Sequence, residues 1–128
     1  MKFDWRCFTE EDYENIAKTT NFLNGVYVDS IWIGDVAIDL VCYSRENDTP
    51  CIDYDFYVGH EDTGYGYSIV PYDQYDGGSL YIRSGESYEQ FKERAEKDFE
   101  EIIRNSNYVW KSGLTLLDHA NKPLEIWD

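Results

Sequence analysis

Hydrophobic residues along this chain follow two periods, and each change of period marks an element. In "TEEDYENIAKTTNFLNG", Tyr13, Ile16, Ala17, Thr20 and Leu23 recur every three or four positions, the spacing of one helix face. Thr9 opens that segment as an N-cap with Asp12 three residues on, and Asn24-Gly25 supplies the stop. "SYEQFKERAEKDFEEIIRN" predicts a second helix. Ser87 and Gln90 form its capping box, and Tyr88, Phe91, Ala95, Phe99, Ile102 and Ile103 form its core stripe. Glu93–Lys97 and Glu100–Arg104 are spaced as i,i+4 ion pairs on the solvated side.

Between these stretches the period falls to two. "VYVDSIWIGDVAIDLVCY" reads as two strands joined by a tight turn at Gly34-Asp35. "IDYDFYV" places Ile52, Tyr54, Phe56 and Val58 on one face and Asp53, Asp55 and Tyr57 on the other. "YGYSIVPY" and "SLYIR" predict two shorter strands, the former confined to an edge or a strand end by Pro71. The tail "LTLLDHANKPLEIWD" is expected to pack Leu114, Leu116 and Trp127 onto the body. The resulting expectation is one α+β domain over residues 1–128. It is an antiparallel β-sheet of about five strands, with two helices packed on one face and the other face open.

Composition adds that aromatic residues, 17% of the chain, supply much of the core volume. Charge changes the picture more. A net charge of −15 disfavours direct binding to nucleic acid or to anionic membranes, both of which rely on Lys and Arg. It favours a basic partner and would speed that encounter. Cys7, Cys42 and Cys51 are too few and too irregular for a disulfide framework or a zinc site, so reduced, buried thiols are expected. The N-terminal stretch lacks the apolar region of a signal peptide, and no apolar run approaches membrane-spanning length. The expected location is therefore the cytoplasm of whichever cell makes the chain.

The charge is concentrated. Residues 19–82 carry 11 acids and a single base, Arg45, whereas the second helix mixes both signs. The stretch "CIDYDFYVGHEDTGYGYSIVPYDQYDGG" holds no Lys or Arg at all. With the alternation above, Asp53, Asp55 and Asp39 fall on the open face, where acids two apart along a strand lie roughly 6.5–7 Å from one another. Tyrosines interleave with them, and Tyr is enriched at interfaces. The expected partner-binding residues are Asp39, Asp53, Asp55, Tyr57, Glu61, Asp62, Tyr65, Tyr67, Asp73, Tyr75 and Asp76.

Other chemistry is weighed against the same residues. Asp53, Asp55, His60 and Glu61 could serve a divalent metal and a metal-dependent enzyme, although no EF-hand spacing follows Asp53. His60 and His119 sit in no metalloprotease or nucleophile-elbow context. "GYGYS" lacks the third glycine and the strand-to-helix setting of a phosphate loop. The expectation is a non-enzymatic protein without a cofactor, acting as a monomer or homodimer.

In size, charge and the acid-plus-tyrosine stretch from Cys51 to Gly78, the chain resembles small acidic inhibitors carried by phages and mobile elements. These are the anti-CRISPR and anti-restriction proteins, some of which mimic DNA. The resemblance implies an inhibitor that binds the cationic nucleic-acid site of a nuclease or CRISPR effector. An immunity protein that neutralises a nuclease toxin is the alternative with the same charge logic.

Overall fold

A computed structural model describes residues 1–18, 26–44, 50–58, 68–70 and 78–123. The elements are helix α1 (Glu10–Lys18), strands β1 (Val26–Ile33), β2 (Val36–Ser44), β3 (Pro50–Val58), β4 (Ser68–Ile69) and β5 (Ser79–Tyr81), then helices α2 (Tyr88–Asn105) and α3 (Leu116–Ala120). This is an α+β protein with an antiparallel sheet in the order β1-β2-β3-β4, with β5 also pairing β3. The two short strands thus share one edge of β3. Tyr57 and Val58 face β4, and Cys51, Ile52 and Asp53 face β5. Among the described residues, no helix is long and apolar enough to cross a membrane.

Alternation along the strands sorts side chains between faces as their hydropathy requires. Ile31, Val36, Ile38, Leu40, Ile52, Tyr54, Phe56 and Val58 are buried on the core face. Phe99 of α2 lies edge-on against Tyr54 and Phe56, with centroids 4.9 and 6.0 Å away, so α2 covers this face through aromatic contacts. Tyr13 of α1 packs on Phe91 of α2 at 5.0 Å and donates a hydrogen bond to the Glu86 carbonyl at 2.6 Å.

Both expected capping boxes form. Asp12 N–H donates to Thr9 Oγ1 while Thr9 N–H donates to the Asp12 carboxylate, and Ser87 and Gln90 satisfy one another in the same way. Of the α1 stripe, Tyr13 and Ile16 are buried but Ala17 is exposed, while Thr20, Leu23 and the Asn24-Gly25 stop lie outside the described residues. Glu100 and Arg104 pair at 2.9 Å, but Glu93 and Lys97 do not. An exposed pair gains too little to hold two long side chains together.

The tail departs most from expectation. Val109 and Thr115 form a β-bridge, and Thr115 then caps the short helix α3, with Asp118 closing a third capping box. Leu116 is buried and Leu114 half-buried, whereas Trp127 lies outside the described residues. The C-terminal end of α3 sits on the β1–β2 turn. Asp35 N–H donates to the His119 carbonyl at 2.9 Å, and His119 Nδ1 lies 3.1 Å from Asp35 Oδ2. These side chains are 1% and 4% exposed. Gly34 is required here twice over. Its φ is +52°, and a Cβ would stand 2.2 Å from the Ala120 carbonyl oxygen.

Gly34→Ala should therefore cost about 2–3 kcal/mol, the range of overpacking with added backbone strain. Gly85→Ala is the control: its φ is +77° but a Cβ there meets nothing within 4 Å, so only the local strain of about 1 kcal/mol is expected. Urea midpoints of the two variants check the difference.

Candidate partner-binding surface

The outer face of the sheet is built by register. The two-residue turn at Gly34-Asp35 pairs Ile33 with Val36, and so sets Ser30 opposite Asp39 and Trp32 opposite Ala37. The β2–β3 ladder then sets Asp39 opposite Asp55, Ala37 opposite Tyr57 and Val41 opposite Asp53. β5 completes one row by placing Ser79 opposite Asp53. Three rows therefore cross the strands side by side: Val41–Asp53–Ser79, Ser30–Asp39–Asp55, and Trp32–Ala37–Tyr57.

Directly opposed residues have Cβ atoms about 4.5–5.5 Å apart, and like charges in that position are destabilising. Hydroxyl groups moderate the cost. Ser30 Oγ donates to Asp39 Oδ1 at 2.5 Å, and Ser79 Oγ donates to Asp53 Oδ1 at 2.5 Å. The Cys51 thiol adds a longer contact to the same Asp53 oxygen, at 3.4 Å. The five strands carry four carboxylates, Asp29, Asp39, Asp53 and Asp55, and no Lys or Arg.

These groups act on one another. Partial burial raises the Asp39 carboxyl above its ordinary range; the Ser30 hydroxyl opposes that, and Asp55 and Asp29 add to it. The charged neighbours acting on Asp39 are thus both carboxylates. The Tyr57 phenol is raised first by burial and then by Asp55 and Asp39.

The outer face is not fully open, as its alternation alone suggested. Asp39, Asp53, Asp55 and Tyr57 are half-buried, and the smaller residues among them, Ser30, Ala37 and Cys51, are buried. Small side chains between larger neighbours lose their own contact with water. Cys51 is thus buried as expected, but Cys7 is exposed, and the Cys42 side chain is outside the described set.

The structure brings Asp39, Asp53, Asp55 and Tyr57 onto one face. Glu61, Asp62, Tyr65, Tyr67, Asp73, Tyr75 and Asp76 lie outside the described residues, as does His60 of the metal alternative. Val70 N–H donates to the Phe56 carbonyl and Tyr54 N–H to the Gly78 carbonyl, on either side of Asp55. Among the described residues, no group of three or more His, Cys, Asp or Glu side chains could hold a metal ion.

Sequence reasoning missed Ser30, Ser79 and Trp32. The first and last were within reach, because a two-residue turn counts Ser30 against Asp39 and Trp32 against Ala37. Ser79 carried no such signal, since no short turn joins its strand to β3. The other histidine, His119, is buried on α3 against Asp35, where it ties the tail to the hairpin turn.

Comparison with family models, curated proteins and solved structures finds no match to this chain.

Asp39→Asn tests whether the outer face is held against a cost. The folded-state carboxyl titrates above its unfolded value, so its charged form weakens the fold at neutral pH, and that cost fades as pH falls through the folded pKa. The amide oxygen still accepts from Ser30. The variant should therefore gain a few tenths to about 1 kcal/mol at pH 7. Urea titrations at pH 7 and below the ordinary carboxylate range should show the gain and then its disappearance.

Proposed function

We propose that this chain is a non-enzymatic inhibitor that occupies the cationic nucleic-acid-binding site of a nuclease or CRISPR effector with the outer face of its sheet. The observation that carries this reading is the direct opposition of Asp39 and Asp55 across β2 and β3, on strands without a basic residue. A fold selected for stability alone has no use for two facing carboxylates. A partner's Lys and Arg would relieve that repulsion on binding, and the half-buried setting would strengthen each contact made. Asp53 extends the acidic array along β3, and Tyr57 adds contact area beside it.

The spacing supports the kind of partner. Acids separated by about 4.5–7 Å within and between strands broadly match surfaces that track phosphates, which repeat every ~3.4 Å of axis on each strand. The net charge of −15 would also steer the molecule toward a basic groove.

The test is the double reversal Asp53→Lys with Asp55→Lys, in a titration of a nucleic-acid-cleaving effector that the wild-type chain inhibits. At least a ~10-fold loss of potency is expected, mostly through slower association, with circular dichroism confirming the fold. An unchanged titration by the folded variant would remove these residues from the interface. Binding indifferent to ionic strength would remove the charge-driven mechanism itself.

A further inference from the structure

The helical side of the molecule carries a feature of the opposite sign. A shallow, solvent-open depression of about 470 Å³ lies between α2 and the turn that precedes it. Its α2 wall is Gln90, Glu93, Arg94 and Lys97, the i, i+3, i+4 and i+7 positions of a single helix face. Its other wall is the turn from Arg83 to Glu86, closed by the Glu86 N–H donating to the Arg83 carbonyl.

The state of each cation matters. Arg94 is held rigidly: Nε and Nη2 donate to the Glu86 carboxylate at 3.0 and 2.8 Å, and Nη2 also donates to the Tyr81 carbonyl at 2.6 Å. The Glu86 carboxyl is correspondingly lowered, chiefly by that hydrogen bond. Nη1 of Arg94 takes no part in these contacts, so one nitrogen of an oriented guanidinium is left over. The Arg83 guanidinium and the Lys97 ammonium are both exposed and make no ion pair within 4.0 Å among the described residues. Glu86 and Arg94 neutralise one another, which leaves Arg83 and Lys97 set against the single carboxylate of Glu93.

We propose that this depression binds a small oxyanion, a phosphoryl or carboxylate group, seated between Arg83, Lys97 and Nη1 of Arg94. The Arg83 guanidinium suits the forked recognition of such anions, Arg94 Nη1 adds a fixed single donor, and Lys97 adds a compact charge. A cationic hollow on a chain of net charge −15 is not explained by solubility, which the remaining surface already supplies. The site is independent of the acidic sheet face.

The test uses the full chain, labelled with ¹⁵N and titrated with sodium pyrophosphate and, separately, with citrate, at constant ionic strength. Saturable shifts confined to amides from Arg83 to Lys97, with millimolar midpoints, are expected. The tighter of the two ligands identifies the phosphoryl or the carboxylate chemistry. Arg83→Glu and Lys97→Glu, both at exposed positions, should each weaken binding by at least ~5-fold. Arg94 is left intact, because its ion pair holds the turn. Absence of saturable shifts with either anion, or shifts that survive both substitutions, would overturn the proposal.

Discussion

Nine consecutive residue pairs, from Val36↔Val58 to Ser44↔Pro50, join β2 to β3 without a bulge. The side-chain period of a strand is two, so a slip of one position would turn every core residue outward and every acid inward. The same ladder that seats Phe56 beneath Phe99 also sets Asp39 against Asp55. Core and acidic outer face are therefore two sides of one register, and neither can be shifted without the other.

The core tolerates this arrangement because of its aromatic content. Phe99 meets Phe3, Tyr54 and Phe56 at centroid distances of 5.8, 4.9 and 6.0 Å, and Trp5 joins the same group at 6.4 Å. Such edge and tilted contacts add about 0.5–1.5 kcal/mol each beyond the area they bury. One or two of them offset the repulsion expected of a facing acid pair. The Trp5 indole is itself fixed by donating to Glu96 at 2.7 Å, which ties the N-terminal segment to α2.

Local signals in the sequence carried the helices, the β1–β2 hairpin and the face assignment of β3, because each depends on residues near one another in the chain. Ser87 and Gln90, or Gly34 and Asp35, act within a few positions. The pairing of Asp39 with Asp55 is different: five residues separate β2 from β3 and carry no two-residue turn signal, so the alternation of each strand was legible but their mutual register was not. The third helix was missed although Thr115 and Asp118 offer a local capping signal, because five residues need tertiary support such as the contact of His119 with Asp35, eighty-four positions away. A helix that short is marginal without tertiary support. The depression beside α2 was hidden for another reason: Glu93 and Lys97 are spaced as partners, and only the folded geometry leaves them apart.

An antiparallel sheet ends in two rows of unpaired backbone groups, and such rows recruit further strands into fibrils. Here each row is broken. On one side, Asp4 pairs with Trp32, and β1 carries an irregularity between Tyr27 and Asp29. On the other, β4 and β5 occupy the edge of β3 as short separate pieces. The backbone thus guards against amyloid-like stacking by its own geometry. The carboxylates of the outer face are not needed for that protection.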